Sequence, residues 1–260
     1  MTLTRLGLAL ATVALLTGSM LTGWTRAAAD GPEVVAASTV NASVQIRSTF
    51  TSAPGGGRLK IVVKNSGPGT IQYAGVGSGG LLPSQLRFAG PDAVPTIYSC
   101  SNALAAGDTT CPVASSYGLY FFVTQTLRID SEQMLVTAAS STDITLVRGI
   151  NGTIATSHAA GAQIYFMRPQ VTASGGATSP YCAVGIGLAI GCQVTTLPPG
   201  GKMIIIVDLQ VDPATANGTK LKLNLTMDGY PSGQITPITG RVVLQVYHHN
   251  LVATRLWQYP

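Results

Sequence analysis

The stretch that decides the fold class is residues 181–213, YCAVGIGLAIGCQVTTLPPGGKMIIIVDLQVDP. Cys182 and Cys192 flank a Gly-rich turn, and a Leu-Pro-Pro-Gly-Gly corner separates this hairpin from the strongest strand signal in the chain, residues 202–211. One face of that strand is formed by four alternating apolar residues, Ile205, Val207, Leu209 and Val211. Such alternation is typical of a pleated, mostly buried strand. The stretch therefore predicts a disulfide-closed hairpin, a turn and a central strand of a β-sandwich.

Short strand-like segments separated by Gly-, Pro- and Asn-rich turns recur along the rest of the chain. The clearest are residues 41–51, 59–64, 70–76, 86–88, 96–100, 117–125, 127–129, 133–137, 143–148, 165–171, 220–227, 241–247 and 251–257. No window has a useful amphipathic period of 3.6 residues, and only residues 102–106 and 154–160 are weak helical candidates. Strands at this frequency predict an all-β sandwich or barrel.

Residues 1–29 have the pattern of a signal peptide. Arg5 supplies the n-region charge, residues 6–16 (LGLALATVALL) are apolar, and Ala27, Ala28 and Ala29 form a small-residue cleavage site. The apolar run ends well short of the roughly 20 residues that a membrane span needs, so cleavage is favoured over an uncleaved anchor. The expected location is secreted or cell-surface, with the membrane a partner only during export.

The charge pattern argues against nucleic acid as a partner. Loss of Arg5 and Arg26 with the leader lowers the net charge from +5 to +3, and charged residues make up only 10% of the chain. The longest basic grouping, Arg58, Lys60 and Lys64, lies on alternating positions of one strand without interleaved aromatics. The abundance of Gly, Ser, Thr and Ala suits an exported all-β protein whose polar surface consists of hydroxyls.

Four cysteines in an exported chain favour disulfides. Of the three connectivities, Cys100 with Cys111 and Cys182 with Cys192 is favoured, because each bond closes a short loop that contains a plausible turn. A structural metal site would need closer pairs of the C-x2-C type, which these spacings do not provide.

One part of the chain resembles the Ig-like repeats of bacterial and archaeal surface proteins known as domain of unknown function 11. The family outline is a strand ending in Asn-x-Gly-Pro, a Leu-Pro, a cysteine-flanked hairpin, and Leu-x-Pro-Gly before a long strand. Residues 59–68 (LKIVVKNSGP), 82–83 (LP), 182–192, 197–200 (LPPG) and 203–211 are similar to these elements in the same order. The resemblance implies an Ig-like sandwich, although about 80 more residues than in a compact repeat separate the Leu-Pro from the hairpin.

A second resemblance lies within those extra residues. Residues 127–164 resemble a small β-unit of phage tail and baseplate proteins, with Ile-Asp-x-Glu, Val-Thr, Val-x-Arg-Gly-x-Asn-Gly-Thr and His-x-x-Gly in order. The matching residues are 129–130, Glu132, 136–137, 147–153 (VRGINGT) and 158–161 (HAAG), with Val147 directly before Arg148. This resemblance implies a modular β insert of extracellular or particle-surface assemblies, and it carries no known catalytic activity.

Together these patterns predict an all-β chain with an Ig-like β-sandwich and an inserted small β-subdomain. The expected boundaries are residues 1–29 for the signal peptide, 30–100 and 170–260 for the sandwich, and 101–169 for the inserted subdomain. An insert of this kind is best tolerated in a surface loop between strands.

The candidate residues for chemistry are few. Asp130 and Glu132 are two residues apart, as paired carboxylates would be, but Arg148 is a natural partner and a structural ion pair is favoured over a catalytic or calcium-binding role. His158, in a run of small residues, is interpreted as a hydrogen-bonded residue that closes a turn.

The other candidates are also interpreted as structural. His248 and His249 are adjacent, so on a strand they would point to opposite faces and could not hold one metal ion. Asp208 and Asp212 are assigned to a strand and its following turn. No nucleophile elbow, phosphate loop or zinc-protease motif is present in the sequence. We therefore assign no catalytic, cofactor-binding or metal residues and expect that the protein is not an enzyme.

Four Asn-x-Ser/Thr sequons are candidates for glycosylation. They begin at Asn41, Asn151, Asn217 and Asn224. In a chain so rich in Ser and Thr several such triplets arise by chance, so glycosylation is weighed as an alternative to unmodified asparagine.

The leading functional hypothesis is a secreted structural or adhesive surface protein, including the subunit of an extracellular filament or sheath. Self-association through β-strand edges is expected, with residues 33–48 as a segment that could add to a neighbour's open edge. The alternative is a monomeric module that binds a surface glycan or host receptor. Its candidate stacking aromatics are Tyr117, Tyr120, Tyr165, Tyr181, Tyr230, Tyr247 and Trp257.

Overall fold

The computed structural model describes residues 43–78, 81–114, 121, 123, 125–183, 189–229 and 237–260. The expected signal peptide, the first sequon at Asn41 and residues 33–42 of the suggested edge-binding segment lie outside the described residues. Most of the strand expected over residues 117–125 does so too.

The regular structure of the described residues is entirely β. The strands are β1 (Val44–Ala53), β2 (Gly56–Asn65), β3 (Ile71–Ser78), β4 (Leu86–Gly90), β5 (Asp92–Cys100), β6 (Thr110–Ala114), β7 (Thr126–Ile129), β8 (Glu132–Ala139), β9 (Asp143–Val147), β10 (Gln163–Arg168), β11 (Gln170–Ser174), β12 (Tyr181–Cys182), β13 (Gly191–Leu197), β14 (Lys202–Val211), β15 (Lys220–Asp228), β16 (Ile238–Tyr247), β17 (Asn250–Arg255) and β18 (Gln258–Tyr259). Within this described part, no helix is long and apolar enough to cross a membrane.

The two weak helical candidates are wrong. Residues 102–106 and 154–160 contain no helix; instead, Leu104 and His158 form an isolated antiparallel bridge that joins the two segments. Both windows are too short to form a stable helix alone, so tertiary pairing decides their conformation.

Sheet A is built around β14, the strand with the strongest signal. Its strand order is β11, β14, β2, β1, β18, and β4 also pairs with β14. β2 pairs with Lys202 to Gln210 on one side of β14, while β11 and then β4 follow each other along the other side. The predicted alternation is confirmed, because Met203, Ile205, Val207, Leu209 and Val211 are all buried.

Sheet B contains the cysteine hairpin and the C-terminal strands in the order β12, β13, β3, β15, β16, β17. In β15 every second side chain is buried, as its alternating leucines predict. Apolar residues of both sheets belong to one hydrophobic core, which includes Ile61 and Ile205 of sheet A and Val194, Leu223 and Leu244 of sheet B. The two sheets therefore pack face to face on a shared core.

The second compact element is a closed six-stranded barrel with the order β10, β5, β6, β9, β8, β7. It has its own core, which includes Leu127, Ile129, Met134, Ile144 and Ile164. Its strands run from Asp92 to Arg168, so the first of them precedes residue 101, where the sequence places the start of the insert. The barrel lies in the chain between β4 and β11, which are consecutive neighbours of the same edge of β14.

Both expected disulfides are present. The bond between Cys100 and Cys111 joins β5 to β6 of the barrel, and the bond between Cys182 and Cys192 joins directly paired residues of β12 and β13. Stable disulfides form in oxidising compartments, so this pair of bonds indicates an oxidising, extracellular type of environment.

Candidate functional site

A cluster of four ionisable side chains lies at one end of the barrel and consists of Asp130, Glu132, Arg148 and His158, which we call the barrel clasp. Asp130 lies in the two-residue turn between β7 and β8, and Glu132 is the first residue of β8. Arg148 directly follows β9, and His158 lies in the loop before β10. Three segments that are separate in sequence therefore meet in one polar cluster.

Glu132 is the centre of the clasp, and its side chain is fully buried. Oε1 accepts hydrogen bonds from Arg148 Nε at 2.7 Å and from the Gly149 backbone N–H at 2.9 Å. Oε2 accepts from Arg148 Nη2 at 2.8 Å, from the Thr156 N–H at 2.9 Å and from His158 Nε2 at 2.9 Å. Five donors thus converge on one carboxylate, which removes most of the cost of burying its charge.

Arg148 joins Glu132 to the neighbouring loops. Besides the bidentate pair with Glu132, its guanidinium donates to the backbone carbonyls of Ala105 at 3.0 Å and Asp108 at 2.8 Å. A further bond goes to the carbonyl of Thr156 at 2.6 Å. The guanidinium therefore attaches the loop closed by the Cys100–Cys111 disulfide to the core of the barrel.

His158 lies between the two carboxylates. Its Nδ1 is 2.7 Å from Asp130 Oδ2, and its Nε2 is 2.9 Å from Glu132 Oε2. Its backbone forms both hydrogen bonds of the bridge to Leu104. His158 is therefore hydrogen-bonded, as the sequence predicts, although its backbone forms a bridge to Leu104 and does not close a turn.

The glycine after Arg148 is required by the backbone. Gly149 has a φ of +62°, a left-handed conformation that favours glycine. A Cβ at this position would lie 2.9 Å from the backbone nitrogen of Ala155, so a side chain would displace the loop that supplies Thr156. This explains physically why an Arg-Gly pair suits this turn.

The expected pairing of the acidic residues is confirmed in one case and wrong in the other. Glu132 pairs with Arg148, as the sequence analysis favours, but the partner of Asp130 is His158. The two carboxylates contact opposite nitrogens of the ring and therefore cannot share one metal ion. No group of three or more His, Cys, Asp or Glu side chains in the described ranges is arranged to hold a metal.

The environment of Glu132 lowers its pKa from the ordinary 4.5 to about 2. Burial alone would raise the pKa, but the hydrogen bonds from Arg148, Thr156, His158 and Gly149 together outweigh it. The carboxylate therefore stays ionised over a wide pH range and is unsuited to act as a proton donor near neutrality.

Lowering the pH should decrease the free energy of unfolding, because Glu132 becomes protonated. The unfolded chain takes up a proton on this residue near pH 4.5 and the folded chain only near pH 2, so its stabilising effect is complete above pH 4.5 and is lost as the pH falls toward 2. The pKa difference corresponds to about 3 kcal/mol. The measurement is the free energy of unfolding in denaturant between pH 2 and 7.

The matched control for the acid effect is Glu132→Gln, which cannot ionise at this position. Its free energy of unfolding should be lower than that of the wild type at pH 7, and the difference should shrink toward pH 2. A difference that is constant across this pH range would contradict the assignment of the effect to Glu132.

The remaining polar candidates have structural partners. Asp208 forms a bidentate ion pair with Arg58, with distances of 2.6 and 2.8 Å. Asp212 accepts a hydrogen bond from the N–H of Ala214 in the turn after β14, as expected for Asp before Pro. Asp208 therefore links β14 to β2, and Asp212 stabilises the turn after β14.

The adjacent histidines do not lie on a strand, contrary to the assumption in the sequence analysis. His248 and His249 form the two-residue turn between β16 and β17, with φ of 47° and 61°. Both are exposed. The backbone N–H of His248 donates to Asn217, so the pair also tethers a neighbouring loop.

The three sequons among the described residues differ in their surroundings. Asn151 donates through Nδ2 to Gln133 at 2.7 Å, so a glycan on this nitrogen would break the bond. Asn217 and Asn224 are exposed and use Oδ1 to accept from His248 and Arg241. These two are therefore the better placed candidate acceptors.

The expected set of exposed aromatics is partly wrong. Trp257 is only 3% exposed and packs in the core, while Tyr165 is half-buried beside the Arg128 guanidinium, 4.7 Å from its ring centroid. Tyr181 and Tyr247 are exposed, but they lie on β12 and β16, four strands apart and therefore about 19 Å or more from each other. Tyr117, Tyr120 and Tyr230 lie outside the described residues.

The fold and the clasp define an all-β protein with two disulfides and an ion network around the buried Glu132. The sequence matches no protein-family model and no curated protein. The resemblances to the Ig-like surface repeat and to the phage β-unit therefore stay predictions, based on the motifs alone.

Proposed function

We propose that this protein is a secreted structural or adhesive surface protein whose copies associate through β-strand edges. The observation that carries the proposal is the barrel clasp. In the cluster that most resembles a catalytic site, the donors and acceptors form hydrogen bonds that hold three segments of the barrel together. Together with two disulfides, this favours a protein selected for mechanical and chemical durability.

We also propose that the sandwich has the Ig-like topology and the barrel is a module inserted into it. Two sheets on one core, with a barrel inserted between neighbouring strands of one sheet edge, support this interpretation. In this arrangement the barrel extends a surface protein without changing the sandwich core.

Two of the described edge strands, one in each sheet, are our candidates for self-association. Among the described strands, β11 in sheet A and β17 in sheet B each have a neighbour on one side only. Val44 to Ser48 of the suggested edge-binding segment already pair with β2 within the chain, which counts against their donation to the sheet of a neighbouring copy. Unpaired edge backbone readily pairs with another chain unless charge or irregularity prevents it.

Edge variants should reduce assembly. Val252 on β17 and Thr172 on β11 are exposed, and a lysine at either position places a charge on the edge. We expect Val252→Lys or Thr172→Lys to raise the concentration needed for assembly about tenfold or more, which corresponds to about 1.4 kcal/mol. Sedimentation and electron microscopy of the wild type and variants of residues 30–260 measure this.

The control for the edge variants is Thr226→Lys. It adds the same charge on β15, which pairs with a strand on each side, so assembly should be unchanged. A wild-type protein that stays monomeric at every concentration would contradict the proposal and favour the monomeric binding module.

The monomeric module for a surface glycan or host receptor is the second candidate. Tyr181 and Tyr247, the exposed tyrosines of its aromatic set that the structure describes, are too far apart to form one stacking platform. A different surface of sheet A, which carries charge instead of aromatic rings, supports binding of a glycan.

A further inference from the structure

The outward face of sheet A brings together cations that are far apart in the sequence. Across β1, β2 and β14 the register forms three rows of side chains: Gln45, Lys64 and Lys202; Arg47, Val62 and Ile204; Thr49, Lys60 and Ile206. We call the four cations of these rows, Arg47, Lys60, Lys64 and Lys202, the basic face. Arg47, Lys60 and Lys202 are exposed and Lys64 is half-buried.

The basic face lacks compensating charge. In β1, β2, β14 and β11, which are described throughout, the one acidic residue is Asp208, and it is already paired with Arg58 in the next row. With about 4.8 Å between strands and about 7 Å between rows, the four cations lie within about 14 Å of each other along the sheet. The electrostatic potentials of the four cations therefore add, and this part of the surface is positive.

The pair of Lys64 and Lys202 indicates an external partner. These residues are directly opposite each other on neighbouring strands, so their Cβ atoms are about 5 Å apart. Both side chains carry a positive charge. Like charges in this arrangement destabilise a sheet, whereas an opposite charge would stabilise it. An anion bound between the two ammonium groups would remove the repulsion.

The chemistry around the cations favours a sugar polymer over nucleic acid or membrane. The neighbouring outward side chains are amides and hydroxyls, including Gln45, Thr49, Gln170, Thr172 and Ser174. These groups suit the hydroxyls of a sugar. Phe50, the one aromatic residue of β1, β2 and β14, packs against the core, so the face has no ring on which bases could stack. The apolar residues between the cations, Val62, Ile204 and Ile206, are half-buried and do not form the exposed apolar surface by which proteins insert into a bilayer.

We propose that the basic face binds an anionic polysaccharide, through ion pairs to its carboxylate, sulfate or phosphate groups. Arg47 can hold one such group with two parallel hydrogen bonds, while Lys64 and Lys202 hold another between them. The choice of a polysaccharide rests on the proposed extracellular location. The site itself does not depend on self-association, since its side chains project from the face of the sheet and not from its edge.

Sheet B supplies a matched comparison. Lys220 and Lys222 are exposed on its outward face, but they follow each other along β15 and lie opposite Gln245 and Val243. Replacing this pair changes the net charge as much as replacing Lys64 and Lys202. It therefore separates a site on sheet A from a general attraction of polyanions to a basic protein.

The experiment measures binding of polygalacturonate to residues 30–260 at a concentration where sedimentation shows monomers. We expect Lys64→Gln/Lys202→Gln to weaken binding about tenfold or more and to reduce its dependence on salt. Lys220→Gln/Lys222→Gln should change binding less than about twofold. The thermal midpoint of the first variant should be unchanged or higher, because it removes a like-charge pair.

Three outcomes would overturn the proposal. The first is equal loss of binding in the two lysine variants, which would mean attraction by net charge alone. The second is equal binding to neutral dextran, which would exclude an ionic site. The third is tighter binding to phosphatidylglycerol vesicles or single-stranded DNA than to polygalacturonate, which would assign the face to another class of partner. Failure of edge assembly, measured separately by sedimentation, leaves these outcomes unchanged.

Discussion

Replacing Arg148 with methionine should lower the free energy of unfolding by about 3–5 kcal/mol, the usual effect of leaving a buried charge without its partner. The variant keeps most of the side-chain volume but removes both bonds to Glu132 and the bonds to Ala105, Asp108 and Thr156. Glu132, which is fully buried, would then lose its main counter-charge. Denaturant unfolding at pH 7 measures the change.

An exposed ion pair of the same type is the control. Arg58 and Asp208 form an equally short bidentate pair, but the Arg58 side chain is 54% exposed. Arg58→Met should therefore cost less than about 1 kcal/mol. The double variant Glu132→Leu/Arg148→Met should also lose less stability than Arg148→Met alone, because no uncompensated charge stays buried. An Arg148→Met variant as stable as Arg58→Met would show that the clasp contributes little to stability.

Truncation of Trp257 to alanine should cost about 3–5 kcal/mol, the range found when large aromatic residues are removed from a core. Trp257 lies between β17 of sheet B and β18 of sheet A, and its indole ring packs directly on Gly240 of β16. Its backbone accepts from the N–H and Oγ of Ser48 and donates back to Oγ. The residue therefore joins the two sheets at one side of the shared core, and thermal or denaturant unfolding measures its loss.

Two further variants separate packing of the indole from a general effect of the C-terminal strand. Tyr259→Ala, two residues later and 43% exposed, should change stability by less than about 0.5 kcal/mol. Gly240→Ala places a Cβ against the indole ring and should destabilise the wild type, but much less the Trp257→Ala variant. Additive effects of the last two substitutions would contradict direct contact as the cause.

The sequence predicts the strands well because strand formation here depends on local alternation. In residues 202–211 and 220–227 every second residue is apolar, and in the structure every one of these apolar positions on the core face is buried. The two disulfides are also predictable, since each closes a short loop within one hairpin-like segment. The Glu132–Arg148 pair belongs to the same group, because it joins β8 to the end of the adjacent β9.

Trp257 shows where local pattern is insufficient. It is one of the candidate stacking aromatics of the sequence, but the space opposite Gly240 makes it a core residue. His158 is a similar case, since neither its partner Asp130 nor its bridge to Leu104 is signalled by spacing. Whether such residues are buried, and what they bond to, depends on contacts with parts of the chain that are distant in sequence.

Sequence alone therefore determines that this protein is all-β, where most strands lie, how its cysteines pair and that Glu132 has a cationic partner. Tertiary structure decides that six of the strands close into a barrel, that three segments meet in the clasp, and that Arg47 and Lys202 join Lys60 and Lys64 on one face. The physical reason is the separation in sequence between the residues that interact. Alternation, turns and short loops depend on residues a few positions apart, whereas β2 and β14 are paired across more than a hundred residues, and their register is set by the shared core.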